Sequence, residues 1–169
     1  MVGIAAMIGY PERVNEVAAR VTAGGVCALS ATALITQQHW LLAPLAYGFV
    51  ARTLSGPTFS PLARLAGQVI VPRLPFAPKP VAGAPKRFAQ AMGAGMSIAA
   101  LACAARSLDG AADVLLGMLV AASALESIFA FCVGCKIFTA LMRVGVIPEQ
   151  ACPECADISL RSRKPSVAA

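Results

Sequence analysis

Six cysteines carry most of the chemistry that this sequence offers. Four fall into two C-x-x-C pairs, Cys132-Val133-Gly134-Cys135 and Cys152-Pro153-Glu154-Cys155, with residues 136–151 between them. Thiolates are soft ligands, and two such pairs match a four-thiolate pattern, so Cys132, Cys135, Cys152 and Cys155 form a candidate site for zinc or iron. The reach is adequate. A helix running on to Arg143 descends about 12 Å below Cys135, and the eight residues 144–151 can return about 26 Å when extended.

Redox chemistry is the competing reading. At i and i+3 of a helix, Cys132 and Cys135 share one face and can approach disulfide distance. A fourth helix that continues past the pair would place it toward a C-terminal end, where the dipole disfavours a thiolate and only Lys136 acts the other way. The second pair, with Pro153 after its first cysteine, resembles zinc knuckles as much as redox motifs. Thiols with neither role are the third alternative. Cys27 and Cys103 stand singly in apolar runs and read as packing residues.

Glu126 is the other chemical candidate, an ionisable residue in the middle of an apolar run. At 100° per residue, Cys132 lies about 120° and Cys135 about 180° around the helix from it, so Glu126 is expected to face a serine, threonine or glutamine elsewhere. A protonated carboxyl bridging helices and a proton-transfer group are its two readings. His39, the only histidine, reads as a solvated loop residue rather than a ligand. The sequence shows no Ser-His-Asp set, phosphate-binding glycine loop or HExxH motif.

The elements that must position these groups are membrane helices. Of 169 residues, 58% are apolar and 13% charged, against about 45–50% and about 25% in soluble domains. Aromatics are only 6%, so the excess lies in the small apolar residues of packed membrane helices. Charge-free runs and their interruptions predict four spans, at about 17–35, 39–55, 88–106 and 114–142. The second is the least regular, because Pro44 falls inside it and Arg52 near its end. The fold expected is all-α, a four-helix transmembrane bundle over residues 1–145 with a Cys-containing tail at 146–169. A soluble bundle with unusually apolar helices is the alternative. Met1–Tyr10 has no basic n-region or small-residue cleavage site, so the first span is expected to remain as an anchor.

Basic residues fix the orientation. Arg13 and Arg20 precede span one, and Arg52, Arg64, Arg73, Lys79, Lys86 and Arg87 fall between spans two and three, where no acid occurs. Lys136, Arg143, Arg161, Arg163 and Lys164 follow the fourth run. The positive-inside rule then puts both termini and the central loop on the cytoplasmic side of the plasma (inner) membrane. The net charge of +6 becomes an orientation signal and a surface for anionic lipid, and nucleic acid is not needed to explain it.

Within the central loop, Ser60-Pro61 reads as an N-cap followed by Pro at the first helical position. Leu62, Leu65, Ala66 and Val69 repeat at helical spacing opposite Arg64 and Gln68, and Pro72 stops the run. An amphipathic helix on the inner membrane surface is expected, or a short helix packed under the bundle. Residues 72–80 are expected to be extended. Arg64, Arg73, Lys86 and Arg87 are the expected lipid or partner surface.

The strings Phe131-Cys132-Val133-Gly134-Cys135, Pro85-Lys86-Arg87-Phe88-Ala89-Gln90 and Val14-Asn15 resemble an uncharacterised bacterial family of small four-helix membrane proteins, a domain of unknown function. The resemblance covers roughly residues 10–145 and extends, in similar proteins, to a tail pair led by Ile147-Pro148-Glu149. It implies an integral membrane protein without an established activity, linked to thioredoxin- or sulfur-related genes. Four-helix thiol oxidoreductases that work with quinones keep their cysteines toward the oxidising side, and the inward placement expected here argues against that chemistry. The expected function is a cytoplasmic-face cysteine site, metal-binding or redox, that supports a thioredoxin-like or other membrane partner. A structural protein docking partners through its basic loop is the alternative. A small transporter subunit working through Glu126 is a third reading, and four spans would then require oligomers.

Overall fold

The structure is a computed structural model that describes residues 11–75, 77–152 and 155. The calls on Met1–Tyr10 and on Arg161, Arg163 and Lys164 lie outside the described residues.

Helix α1 (Glu16–Thr36) begins where the Asn15 side chain accepts the Val17 N–H, and it ends at Gln37 in the left-handed conformation. A 3-10 turn, His39–Leu41, leads into α2 (Leu42–Ser55). Pro44 is accommodated because it lies in the first turn, where its missing N–H would have had no partner within the helix. Ser60 caps α3 (Pro61–Leu65) by accepting the Ala63 N–H, with Pro61 in the first turn as expected. The chain then loosens into a π turn at Ala66–Ile70 and a 3-10 turn at Val71–Arg73. The extended stretch thus starts at Leu74, two residues later than Pro72 suggested.

The fold is mostly helical, as expected, with one small two-stranded sheet added to it. Strands β1 (Arg13–Asn15) and β2 (Pro80–Ala82) pair antiparallel, with Val14 opposite Val81. Pro80 sits at a strand end, where its missing donor is tolerated. Three longer helices follow: α4 (Gly83–Ala105), α5 (Asp109–Phe129) and α6 (Val133–Arg143), the last only 11 residues. The described residues therefore hold six α-helices.

Helix α1 packs on α5, α5 on α4, α4 on α2, and α6 on α4. The central core runs from Val26 and Ala33 through Leu42, Leu45 and Phe49 to Ala94, Ala100, Leu116 and Leu119. Small residues set the spacing: a Cβ on Gly93 would lie 2.3 Å from the Phe49 ring, so α2 and α4 approach this closely only because position 93 has none.

Helices α1, α4 and α5 are each long and apolar enough to cross a membrane. Only 28, 22 and 22% of their most apolar stretches is buried inside the protein, so most residues there keep some outward surface. Such an extent of exposed apolar surface suits a hydrocarbon environment. Helix α2 is about 21 Å long, short of a hydrocarbon core of about 30 Å.

The fourth predicted span is corrected most. It does not run unbroken over 114–142: α5 stops at Phe129, and α6 starts anew at Val133. Ala130 adopts φ 55°, its N–H returns to the Leu125 carbonyl, and the chain turns before Cys132.

Candidate thiol site

The break between α5 and α6 creates the site. Phe131 N–H also bonds the Leu125 carbonyl, at 3.1 Å, which closes the end of α5. Arg20 of α1 reaches the same end, with Nε and Nη2 donating to the Ser127 carbonyl at 3.1 and 3.0 Å and Nη2 to that of Ile128 at 3.0 Å. A cation thus satisfies carbonyls that the terminating helix leaves without partners.

Cys132 is extended (φ −88°, ψ 105°) and is the N-cap of α6. Its Sγ accepts the backbone N–H of Cys135 at 3.4 Å, and the Cys135 thiol donates to it at 2.7 Å. Both thiols are free. The sequence expectation is reversed here: the pair stands at a helix N-terminus, where the dipole favours a thiolate, and not toward a C-terminal end. The Cys135 thiol donor holds Cys132 below the ordinary thiol range, with Lys86 and the Cys135 N–H acting the same way against burial and Glu126. The same sulfur–sulfur bond, together with burial, pushes Cys135 well above that range. One sulfur is thus set up as the thiolate and the other as its protonated companion.

Gly134 allows α6 to lie against α4, since a Cβ there would be 2.6 Å from both the Cα and the Cβ of Ala89. Phe138 and Met142 are buried in the same contact, and the Phe138 and Phe88 rings are 5.7 Å apart at 58°.

Below the thiols, Lys86 of α4 donates from Nζ to Glu126 Oε1 of α5 at 2.5 Å. Their side chains are only 11 and 14% exposed. Both charges act on both sulfurs. Two sequence expectations are corrected by this pair. Glu126 faces a lysine beside the cysteines, not a hydroxyl or amide on a distant face. Lys86 is buried, not part of a basic surface, because α4 begins at Gly83 and carries it inside. Arg87, also expected on that surface, is half-buried and donates from Nε to the Thr53 carbonyl at 2.9 Å, while Arg64 and Arg73 are exposed.

Cys152 and Cys155 are joined as a disulfide and pack with Ile147 on Phe138 and Met142. Among the described residues no group of three or more His, Cys, Asp or Glu is placed to hold a metal ion, and the two cysteine pairs do not form one cluster. Cys27 packs within the bundle, its thiol donating to the Val120 carbonyl at 3.8 Å. His39 is more engaged than expected, lying 3.5 Å from Asp109 and 3.3 Å from Asp113. A linear reading of charge assigns Lys86 to the loop surface and so misses its place beside the thiols. The usable signal was length, since an uninterrupted helix over 114–142 exceeds what one span needs.

A family model described as a domain of unknown function matches residues 14–143. No curated protein and no solved structure matches the chain.

Proposed function

The chain belongs to the domain-of-unknown-function family DUF4395, and because that membership carries no activity, we propose a function from the site itself: thiol–disulfide exchange at the membrane, with Cys132 as attacking sulfur and Cys135 as resolving sulfur. The observation that carries this reading is Cys132 capping α6 while accepting two hydrogen bonds from Cys135. A thiolate favoured by a helix N-terminus and backed by a protonated thiol is the arrangement that exchange requires.

The protein is a four-span bundle of the inner membrane, made of α1, residues 39–55, α4 and α5, with termini and central loop cytoplasmic. Exposed Leu65, Val69 and Ile70 beside Arg64 support an inner-surface position for residues 61–73. The partner is a thioredoxin-like protein, and exposed Ile128, Phe129 and Phe131 offer an apolar rim next to Cys132 for it.

Trapping tests this. Cys135→Ser protein incubated with an oxidised thioredoxin-like protein should accumulate a mixed disulfide through Cys132, and no adduct would overturn the reading. Near-stoichiometric zinc or iron in the reduced wild type would restore the metal reading, which needs all four thiolates.

A further inference from the structure

Exchange leaves one proton unaccounted for. After Cys132 has formed a mixed disulfide, Cys135 must lose its thiol proton before its sulfur can attack Cys132. From the buried pair beneath the two sulfurs, we infer that the Glu126 carboxylate accepts that proton and that Lys86 positions it. The inference rests on the exchange function proposed above.

Three features of the geometry support this. Lys86 and Glu126 come from two helices, α4 and α5, and Lys86 lies one helical turn before Ala89, against which Gly134 of α6 packs. Their hydrogen bond fixes one carboxylate oxygen, Oε1, and leaves Oε2 with no hydrogen-bond partner among the described residues. Of the groups that act on Cys135, Glu126 is the carboxylate, Lys86 is a cation and Cys132 is the partner sulfur. Arg20 of α1 is engaged with the Ser127 and Ile128 carbonyls, and Lys136 lies over the Phe131 ring at 5.7 Å; both are cations. The upward push on the Cys135 thiol is consistent with a sulfur that stays protonated until a base acts.

The step balances. The Cys132 thiolate attacks one sulfur of a partner disulfide, forming one S–S bond and breaking another, and the first partner thiolate leaves. Glu126 takes the Cys135 proton, the Cys135 sulfur forms a bond to Cys132, and the second partner thiolate leaves. The protein dithiol is oxidised, the partner disulfide is reduced by two electrons, and the Glu126 proton passes on to solvent or the departing thiolate.

An aromatic disulfide that releases a coloured thiolate at each step separates the two events in a single turnover. The background is full-length protein with Cys27→Ala, Cys103→Ala, Cys152→Ser and Cys155→Ser, so that only Cys132 and Cys135 react. Glu126→Gln should leave the first release unchanged or faster, because a negative charge near Cys132 is removed. The second release should slow about 100-fold near neutral pH, the lower end of what a general base supplies. That deficit should close by about tenfold per pH unit as hydroxide takes over the role, which a packing defect would not do. If Glu126→Gln alone does not fold, the pair Lys86→Met with Glu126→Gln carries no unmatched charge and should show the same slow second release. A second release as fast as wild type with the same pH profile, in either variant, would overturn the role of Glu126. Wild-type protein that gives no first release would instead overturn the exchange function.

Discussion

Gly134→Ala sets two effects of opposite sign against each other. Gly134 is the second residue of α6, and helix propensity alone predicts that alanine there stabilises by up to about 1 kcal/mol. The packing predicts the reverse. The new Cβ would lie 2.6 Å from the Ala89 Cα, whereas carbon atoms in contact normally sit about 3.5–4.0 Å apart. The shortfall is about 1 Å against backbone, which a rotamer change does not relieve, so α6 must move away from α4. Overpacking of this kind costs about 1–3 kcal/mol, and after the propensity gain the net expectation is a loss of about 0–2 kcal/mol. Because α6 carries Cys135 and is capped by Cys132, the displacement should also loosen the Cys135 N–H bond to Cys132 and reduce thiol reactivity near neutral pH. Denaturant titration in detergent micelles, followed by near-ultraviolet circular dichroism, reads the stability. Gly95→Ala is the control, since nothing lies within 4 Å of a Cβ there and propensity should act alone. Equal stabilisation by both alanines would refute the close contact of α6 with α4.

Two further outcomes follow from the site. Because Cys132 is held below and Cys135 above the ordinary thiol range, mass-resolved alkylation across pH should reach its plateau at lower pH for Cys132. Cys135→Ala removes the thiol donor and should shift the Cys132 midpoint upward; an unmoved midpoint would discount that hydrogen bond. Lys86→Met leaves the Glu126 carboxylate buried without its partner and should destabilise by about 3–5 kcal/mol, whereas adding Glu126→Gln should recover most of the loss. A harmless Lys86→Met, measured by the same denaturant titration, would mean that the pair is open to water.

What the sequence made legible follows from local chemistry. Asn15 and Ser60 are good N-caps with a recognisable context, and both occupy the positions that their side chains favour. The break at 130–132 had no such marker. Ala130 takes the left-handed conformation without being Gly or Asn, and Cys132 caps a helix although cysteine is not a preferred cap. The depth of Lys86 was hidden for another reason. A method that ends spans at charges shortens any helix whose charge is matched from across the bundle, and Glu126 supplies that match 40 residues away. The β1–β2 pairing was equally invisible, since three residues a side carry little pattern.

That small sheet has a mechanical consequence. It ties the chain just before α1 to the chain just before α4, with added backbone bonds from Gly83 to Glu12 at 2.7 Å and from Glu16 to Lys79 at 2.9 Å. At the opposite end, Gln37 and His39, just past α1, reach Asp109 and Asp113 of α5 through their side chains. Backbone hydrogen bonds thus set the register of α1 against α4 at the end that carries Lys86.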